Sequence, residues 1–101
     1  MPIIYKIHLA RNAERDIEYI FAYLMRERPS AAAKFIYKLE ASPARLNYNP
    51  ARFPKIRERT TRRHTYRRFL FLSYRLVYRI HRNKVLLLRV FHQAQLLRDL
   101  E

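Results

Sequence analysis

His64–His92 reads HTYRRFLFLSYRLVYRIHRNKVLLLRVFH, and this stretch decides the fold. Apolar and charged residues alternate through much of it, the two-residue period of strands that bury one face. It divides into three strands, His64–Leu72, Tyr74–His81 and Lys84–His92. Arg82-Asn83 is a tight turn between the last two, so the three strands form an antiparallel meander. The chain has no glycine, and Asn83 is the residue expected to accept a positive φ in its place. Along the middle strand Tyr74, Leu76, Tyr78 and Ile80 share one face, and Arg75, Val77, Arg79 and His81 the other. Along the last, Leu86, Leu88, Val90 and His92 alternate with Val85, Leu87, Arg89 and Phe91. If Leu76/Ile80 and Leu86/Leu88 pack inward, Arg75, Arg79 and Arg89 gather on the outer face.

Upstream, Ile3, Tyr5, Ile7 and Leu9 alternate with Ile4, Lys6 and His8 and predict a further strand with one apolar face. Asn12 is a candidate N-cap for a helix whose apolar stripe is Ala13, Ile17, Ile20, Phe21 and Leu24. Pro29 disfavours helical geometry in the residue before it, so this helix should stop by Arg28. A second helix opens at Pro29 and Ser30 with the stripe Ala32, Phe35, Ile36 and Leu39. Pro43 predicts a kink or a restart, with Ser42 as the new cap. The two helices make an αα-hairpin. Asn47–Pro54 reads as loop and residues 55–63 as a solvated connection. The closing LLRDLE either extends the last strand or forms a short helical turn. The whole chain, residues 1–101, is then one α+β domain in the order β-α-α-β-β-β. The hairpin packs on an antiparallel sheet, with Ile17, Phe21, Phe35, Leu39, Leu76, Ile80, Leu86 and Leu88 in one core.

Charge says most about partners. The formal net charge is +14, and residues 51–101 hold 14 of the 22 basic side chains but 3 of the 8 acidic ones. In that half only Lys55 and Lys84 are lysine, so planar guanidinium contacts to phosphate or carboxylate are favoured over diffuse charge. An anionic partner follows. The chain has no cysteine, and its N-terminus, MPIIYKIHLARNAERD, has no apolar signal-peptide core. Tyr19–Met25 is far too short an apolar run to cross a bilayer. A cytoplasmic protein without membrane contact is expected.

Catalytic patterns are thin. Ser30, Ser42 and Ser73 lie in no nucleophile turn. Asp16 and Glu18 are explained by the helix dipole. His8, His64, His81 and His92 include no pair at helical metal-ligand spacing, so neither metal nor cofactor is expected. There remain arginine, histidine and tyrosine on a sheet, which can handle RNA without metal: arginine neutralises phosphate and histidine moves a proton. Alternating arginine on a strand also serves solubility and protects sheet edges.

Three strings then resemble a known family. They are LARNAERDIEYIFAYL, RPSAAAKFIYKLEASPARLNYNPARFP and YRRFLFLSYRLVYRIHRNKVLLLRVFHQAQLLRDL. In this order they are similar to toxins of the RelE/ParE superfamily from type II toxin–antitoxin modules, nearest the ParE, or plasmid stabilisation, branch. The resemblance implies a RelE/ParE-like fold and a cognate acidic antitoxin, ParD- or RelB-like, that also carries the contact with operator DNA. The ParE branch implies inhibition of DNA gyrase by binding, with Arg67, Arg68, Arg75, Arg79 and Arg89 as the target or anion-binding surface. The RelE branch implies a metal-independent, ribosome-dependent mRNA endoribonuclease, with Arg75 and His92 as its catalytic residues. Gln93 stands where those nucleases tend to carry an aromatic hydroxyl, and residues 47–57 offer no glutamate base.

Overall fold

The computed structural model describes residues 3–57 and 64–95. Its elements are β1 (Lys6–Leu9), α1 (Arg11–Glu27), α2 (Pro29–Leu46), a short 3-10 turn (Pro50–Arg52), β2 (Arg67–Phe71), β3 (Tyr74–His81) and β4 (Lys84–His92). The α+β order and the meander are as the sequence predicts. The sheet order is β1-β4-β3-β2, with β1 parallel to β4 and the other neighbours antiparallel. β3 and β4 are therefore the central pair. Residues 58–63 and the LLRDLE tail lie outside the described residues.

Several local expectations are corrected. The first strand is shorter than Ile3–Leu9; only an isolated bridge from Ile4 to Tyr48 precedes Lys6. The next is shorter than His64–Leu72, beginning at Arg67 and ending at Phe71. Asn12 does not cap α1. The Ala10 N–H is used by the Leu87 carbonyl at the end of the β1–β4 ladder, and the helix starts at once, with Ala10 as its N-cap. Neither does α2 restart at Ser42. It runs unbroken through Pro43, while Ser42 Oγ, buried, donates back to the Lys38 carbonyl at 3.0 Å. Positive φ falls on Arg82 (55°), not on Asn83. The Asn83 carbonyl accepts from Lys6 N–H at 2.9 Å, which fixes its peptide in the parallel pairing and shifts the strained geometry one residue back.

The largest correction concerns β4. Leu76, Tyr78, Val85, Leu87 and Val90 pack with Phe35, Leu24 and Leu46 in the core beneath the helices. Leu88 is buried on the other side of the sheet, in a second cluster with Tyr66, Val77 and Phe91, and Leu86 packs against it. The phase expected for Leu86 and Leu88 is thus inverted. A β-bulge explains why the rest of β4 does not follow. Tyr78 pairs with Leu87 and Val77 with Arg89, so Leu88 is an extra residue and the alternation resets beyond it. Phe21 leaves the expected core and is 37% exposed, whereas Ile17, Leu39 and Ile80 are partly buried against that core.

Among the described residues, Leu88 is the buried leucine of the second cluster. Leu88→Ala is expected to destabilise the protein by about 2–5 kcal/mol in chemical denaturation. A loss well under 1 kcal/mol would show that this face is not packed.

Candidate functional site

Arginine side chains meet on the sheet face opposite the helices. Arg68 and Leu70 of β2 and Arg75 of β3 reach it from the sheet, because Phe69, Phe71, Leu76 and Tyr78 occupy the helix side. With Arg57 and Gln93 they line a cavity of about 220 Å³. Among the described residues that line it, Gln93 brings a carboxamide and the arginines bring guanidiniums. Arg75 is 7% exposed; its Nη2 donates to the Gln95 carbonyl at 2.7 Å, and its guanidinium lies 5.8 Å from the Phe91 ring centroid. The Arg68 Nε is shielded from solvent and has no hydrogen-bond partner among the described residues. Gln93 is oriented by donating to the Leu72 carbonyl at 2.9 Å.

Arg57 arrives there because the connection is tied to β2. Ile56 N–H donates to the Tyr66 carbonyl and Arg68 N–H to the Pro54 carbonyl, both at 3.0 Å. Further back, the buried Tyr78 hydroxyl donates to the Pro50 carbonyl at 2.6 Å. Arg52 ties the same turn to the end of α2 through the Tyr48 and Arg45 carbonyls. Burial pushes the Tyr78 hydroxyl up to about 12, against the opposing pull of Arg67 and Arg52.

The other arginines expected at the site go elsewhere. Arg67 lies on the helix side of β2 and donates to the Phe53 carbonyl at 2.7 Å, beside Lys55 and His64. Arg79 shares the outer face with Arg75, opposite Leu86, but does not line the cavity. Arg89 stacks on Phe91, with 4.6 Å to the ring centroid, and is committed to α1. Its Nε and Nη2 donate to the two Asp16 carboxylate oxygens at 2.7 and 3.0 Å, and Asp16 also accepts from Val90 N–H at 2.9 Å. Asp16 therefore holds α1 against the β4 edge, beyond the last β1 pair, as well as lying near a helix N-terminus.

His92 is on the helix side. It pairs in register with Tyr74, the rings meeting edge to face at 5.9 Å, and Nδ1 accepts from Ala94 N–H at 3.2 Å. With Tyr19, Ile20, Tyr23 and Val90 it lines a mostly apolar cavity of about 250 Å³. Tyr74 in its wall is raised above the ordinary tyrosine range, first by burial and then by Tyr23, with Arg28 opposing. Arg75 and His92 thus face opposite sides of the sheet. Among the described residues, no three His, Asp or Glu side chains gather where a metal could be held.

The exposed helix aromatics were not singled out from the sequence. Tyr19 is 74% and Tyr37 72% exposed, with Tyr23 and Met25 about half so. The four-residue spacing of Tyr19 and Tyr23 beside the apolar stripe was the available signal. Arg57 carried none, since only the folded connection brings it to the cavity, and Gln93 is legible only as the position where RelE-type nucleases tend to carry an aromatic hydroxyl.

The fold resembles that of toxins. The sequence model for the ParE toxin of type II toxin–antitoxin systems, parDE, matches residues 7–97. The chain belongs to this ParE toxin family, within the RelE/ParE superfamily. Its fold is similar to that of a chain in the chromosomal ParDE system of P. aeruginosa: TM-score 0.69, 13% identity, covering 88% of this chain and 96% of that one. It is also similar to a chain of the RelBE2 toxin–antitoxin complex of Mycobacterium tuberculosis: TM-score 0.59, 25% identity, covering 92% and 95%. No curated protein matches the sequence.

Two expectations test the scaffold under the site. Tyr78 titrates above its ordinary value of 10, so its stabilisation is complete below pH 10 and is lost as pH rises through about 12. Tyr78→Phe should remove that part of the alkaline loss, measured as thermal midpoint against pH. At neutral pH it should cost about 1–3 kcal/mol, because the Pro50 carbonyl loses its donor. Asp16→Ala should cost about 2–3 kcal/mol in denaturant unfolding, since it removes the acceptor of two Arg89 hydrogen bonds and of the Val90 N–H together.

Proposed function

We propose that this toxin stops growth by binding DNA gyrase rather than by cutting RNA, and that an acidic antitoxin neutralises it by contact. The observation that carries this reading is the separation of Arg75 from His92 by the thickness of the sheet. Arg75 lines the outer cavity, while His92 packs on Tyr74 beneath α1. Phosphodiester cleavage needs charge stabilisation, a proton acceptor and a proton donor within reach of one phosphate. The nuclease pair Arg75 and His92 does not meet that requirement in this fold.

Binding makes lesser demands, and the helical hairpin meets them. Exposed Tyr19, Tyr23 and Tyr37 are large, semi-rigid anchors of the sort that dominate protein interfaces. The charge of +14 favours an acidic antitoxin by steering and by attraction, and the similar structures described above belong to toxin–antitoxin systems. Among the described residues no helix is long and apolar enough to cross a membrane, and a cytoplasmic target suits the reading.

The test is early and direct. Inducing the chain without an antitoxin should produce filamentous cells and gyrase-linked DNA breaks while bulk translation continues at first. Pulse labels for protein and DNA synthesis within minutes of induction, with mRNA ends mapped in parallel, separate the two mechanisms. Immediate translation arrest with new ends inside codons, lost in His92→Ala, would establish the ribosome-dependent endoribonuclease instead.

A further inference from the structure

We propose that α1 docks against α1 of a second copy of this chain, antiparallel, about a two-fold axis near Phe21 and Ala22. The contact uses the solvent side of α1 and does not depend on gyrase being the target.

The motive is a local reversal of charge. The chain carries +14, yet Arg11–Glu27 holds three basic side chains (Arg11, Arg15, Arg26) and four acidic ones (Glu14, Asp16, Glu18, Glu27), a net of −1. Half of the eight acidic residues in the chain thus sit on one helix. Asp16 is used inside the fold, on Arg89 and Val90. Glu14 and Glu18 are exposed, and helical spacing continues their face through Phe21, Ala22 and Met25, which are exposed as well. The helix dipole accounts for Glu14 in the first turn and Arg26 in the last. It does not account for Glu18 in the second turn, nor for Phe21 and Met25, 37% and 49% exposed, between the acidic and the basic parts.

This order is self-complementary. Along the outer face come Glu14 and Glu18, then Phe21, Ala22 and Met25, then Arg26 and Arg28, both exposed at the end of the helix. Turned end for end about Phe21 and Ala22, a second α1 lays its glutamates over these arginines, and the exchange occurs twice because a two-fold contact is isologous. Between the two charge clusters the apolar side chains of both copies exclude water, and the small Ala22 lets the helix axes approach. Repulsion between two +14 chains favours this face, because the basic excess is absent from α1. The helices cover one side of the sheet, so the pairing turns the two arginine cavities away from each other. Tyr19 and Tyr23 stand on the flank of α1 that lines the cavity with His92 and stay open to a different protein. A single helix pair lies at the small end of specific interfaces, so a dissociation constant on the order of 10–100 µM is expected.

The experiment is sedimentation equilibrium of the purified full chain, over concentrations that bracket this value and at several salt concentrations. Monomer and dimer should be the species found, and the dimer should strengthen with salt, because screening relieves the repulsion between the chains. Glu18→Arg and Arg26→Glu should each weaken the homodimer about tenfold, since each reversal enters the contact twice. Arg26→Glu also lowers the net charge, which by itself would strengthen association, so its loss reports the local contact. Mixed in equal amounts, the two variants should form a heterodimer within about threefold of the native dimer, because each then meets the opposite charge at both ends. Positions 18 and 26 lie about 12 Å apart along one helix, so this rescue acts between chains. Thermal midpoints monitor folding, and Ala22→Gln, which adds bulk at the axis without charge, carries the test if a reversal unfolds the chain. A chain that stays monomeric, or a dimer indifferent to all three variants, would overturn the proposal. Growth beyond the dimer would mean head-to-tail association and would overturn the two-fold contact. A monomer that instead binds a polylysine peptide through Glu14 and Glu18 would assign the face to a basic partner protein. None of these readouts involves growth arrest, so this proposal and the gyrase reading fail separately.

Discussion

Between Val77 and Tyr78, β3 faces a stretch of β4 that is one residue too long, and the extra residue is Leu88. Both faces of the protein depend on how that residue is absorbed. Before the bulge Val85 and Leu87 point under the helices, and after it Val90 does. Without the reset a strict alternation from Val85 would turn Arg89 into the helix-side core and Val90 out of it. The bulge keeps Arg89 on the outer face, stacked on Phe91 and within reach of Asp16 at the strand edge. Bulges bend and twist the strands that carry them, and here the bend lies where β1 ends and α1 takes over as the neighbour of β4.

The central pair is covered on both sides, although unequally. The helix side is the larger core, and the outer side is a smaller cluster of Tyr66, Val77, Leu88 and Phe91 with Ile56 against it. The connection after α2 provides that second cover, held by the Tyr78–Pro50 bond and by its pairing with β2. The same segment delivers Arg57. Packing and function are therefore coupled: the residues that shield the outer apolar cluster also build the rim of the arginine cavity.

The surface then divides by chemistry. On the hairpin, exposed tyrosines flank a mostly apolar cavity under α1. On the outer sheet face, the guanidiniums of Arg57, Arg68 and Arg75 line a more polar cavity. Aromatic anchors gain most where another protein excludes water from them, and fixed guanidiniums gain most from phosphate. The described residues thus carry two surfaces of different chemistry on opposite sides of the sheet.

Periodicity by itself determined the element order, the ends of β3 and β4, and the stop of α1 before Pro29, because these rest on local rules of side-chain alternation and proline geometry. Composition determined that the surface is basic, and three strings in order carried the resemblance to RelE/ParE toxins. The tertiary structure decided which residue starts α1, which turn residue takes positive φ, and that α2 continues through Pro43, since each depends on a backbone or side-chain partner fixed only in the fold. It also decided the faces of β4. The run Val85-Leu86-Leu87-Leu88 is apolar at every position, so alternation there has no phase to read, and only the register against β3 assigns one. For the same reason the five arginines expected on one surface divide among four environments. Charge and spacing place them on strands, but strand pairing and the Asp16 carboxylate determine where each guanidinium ends.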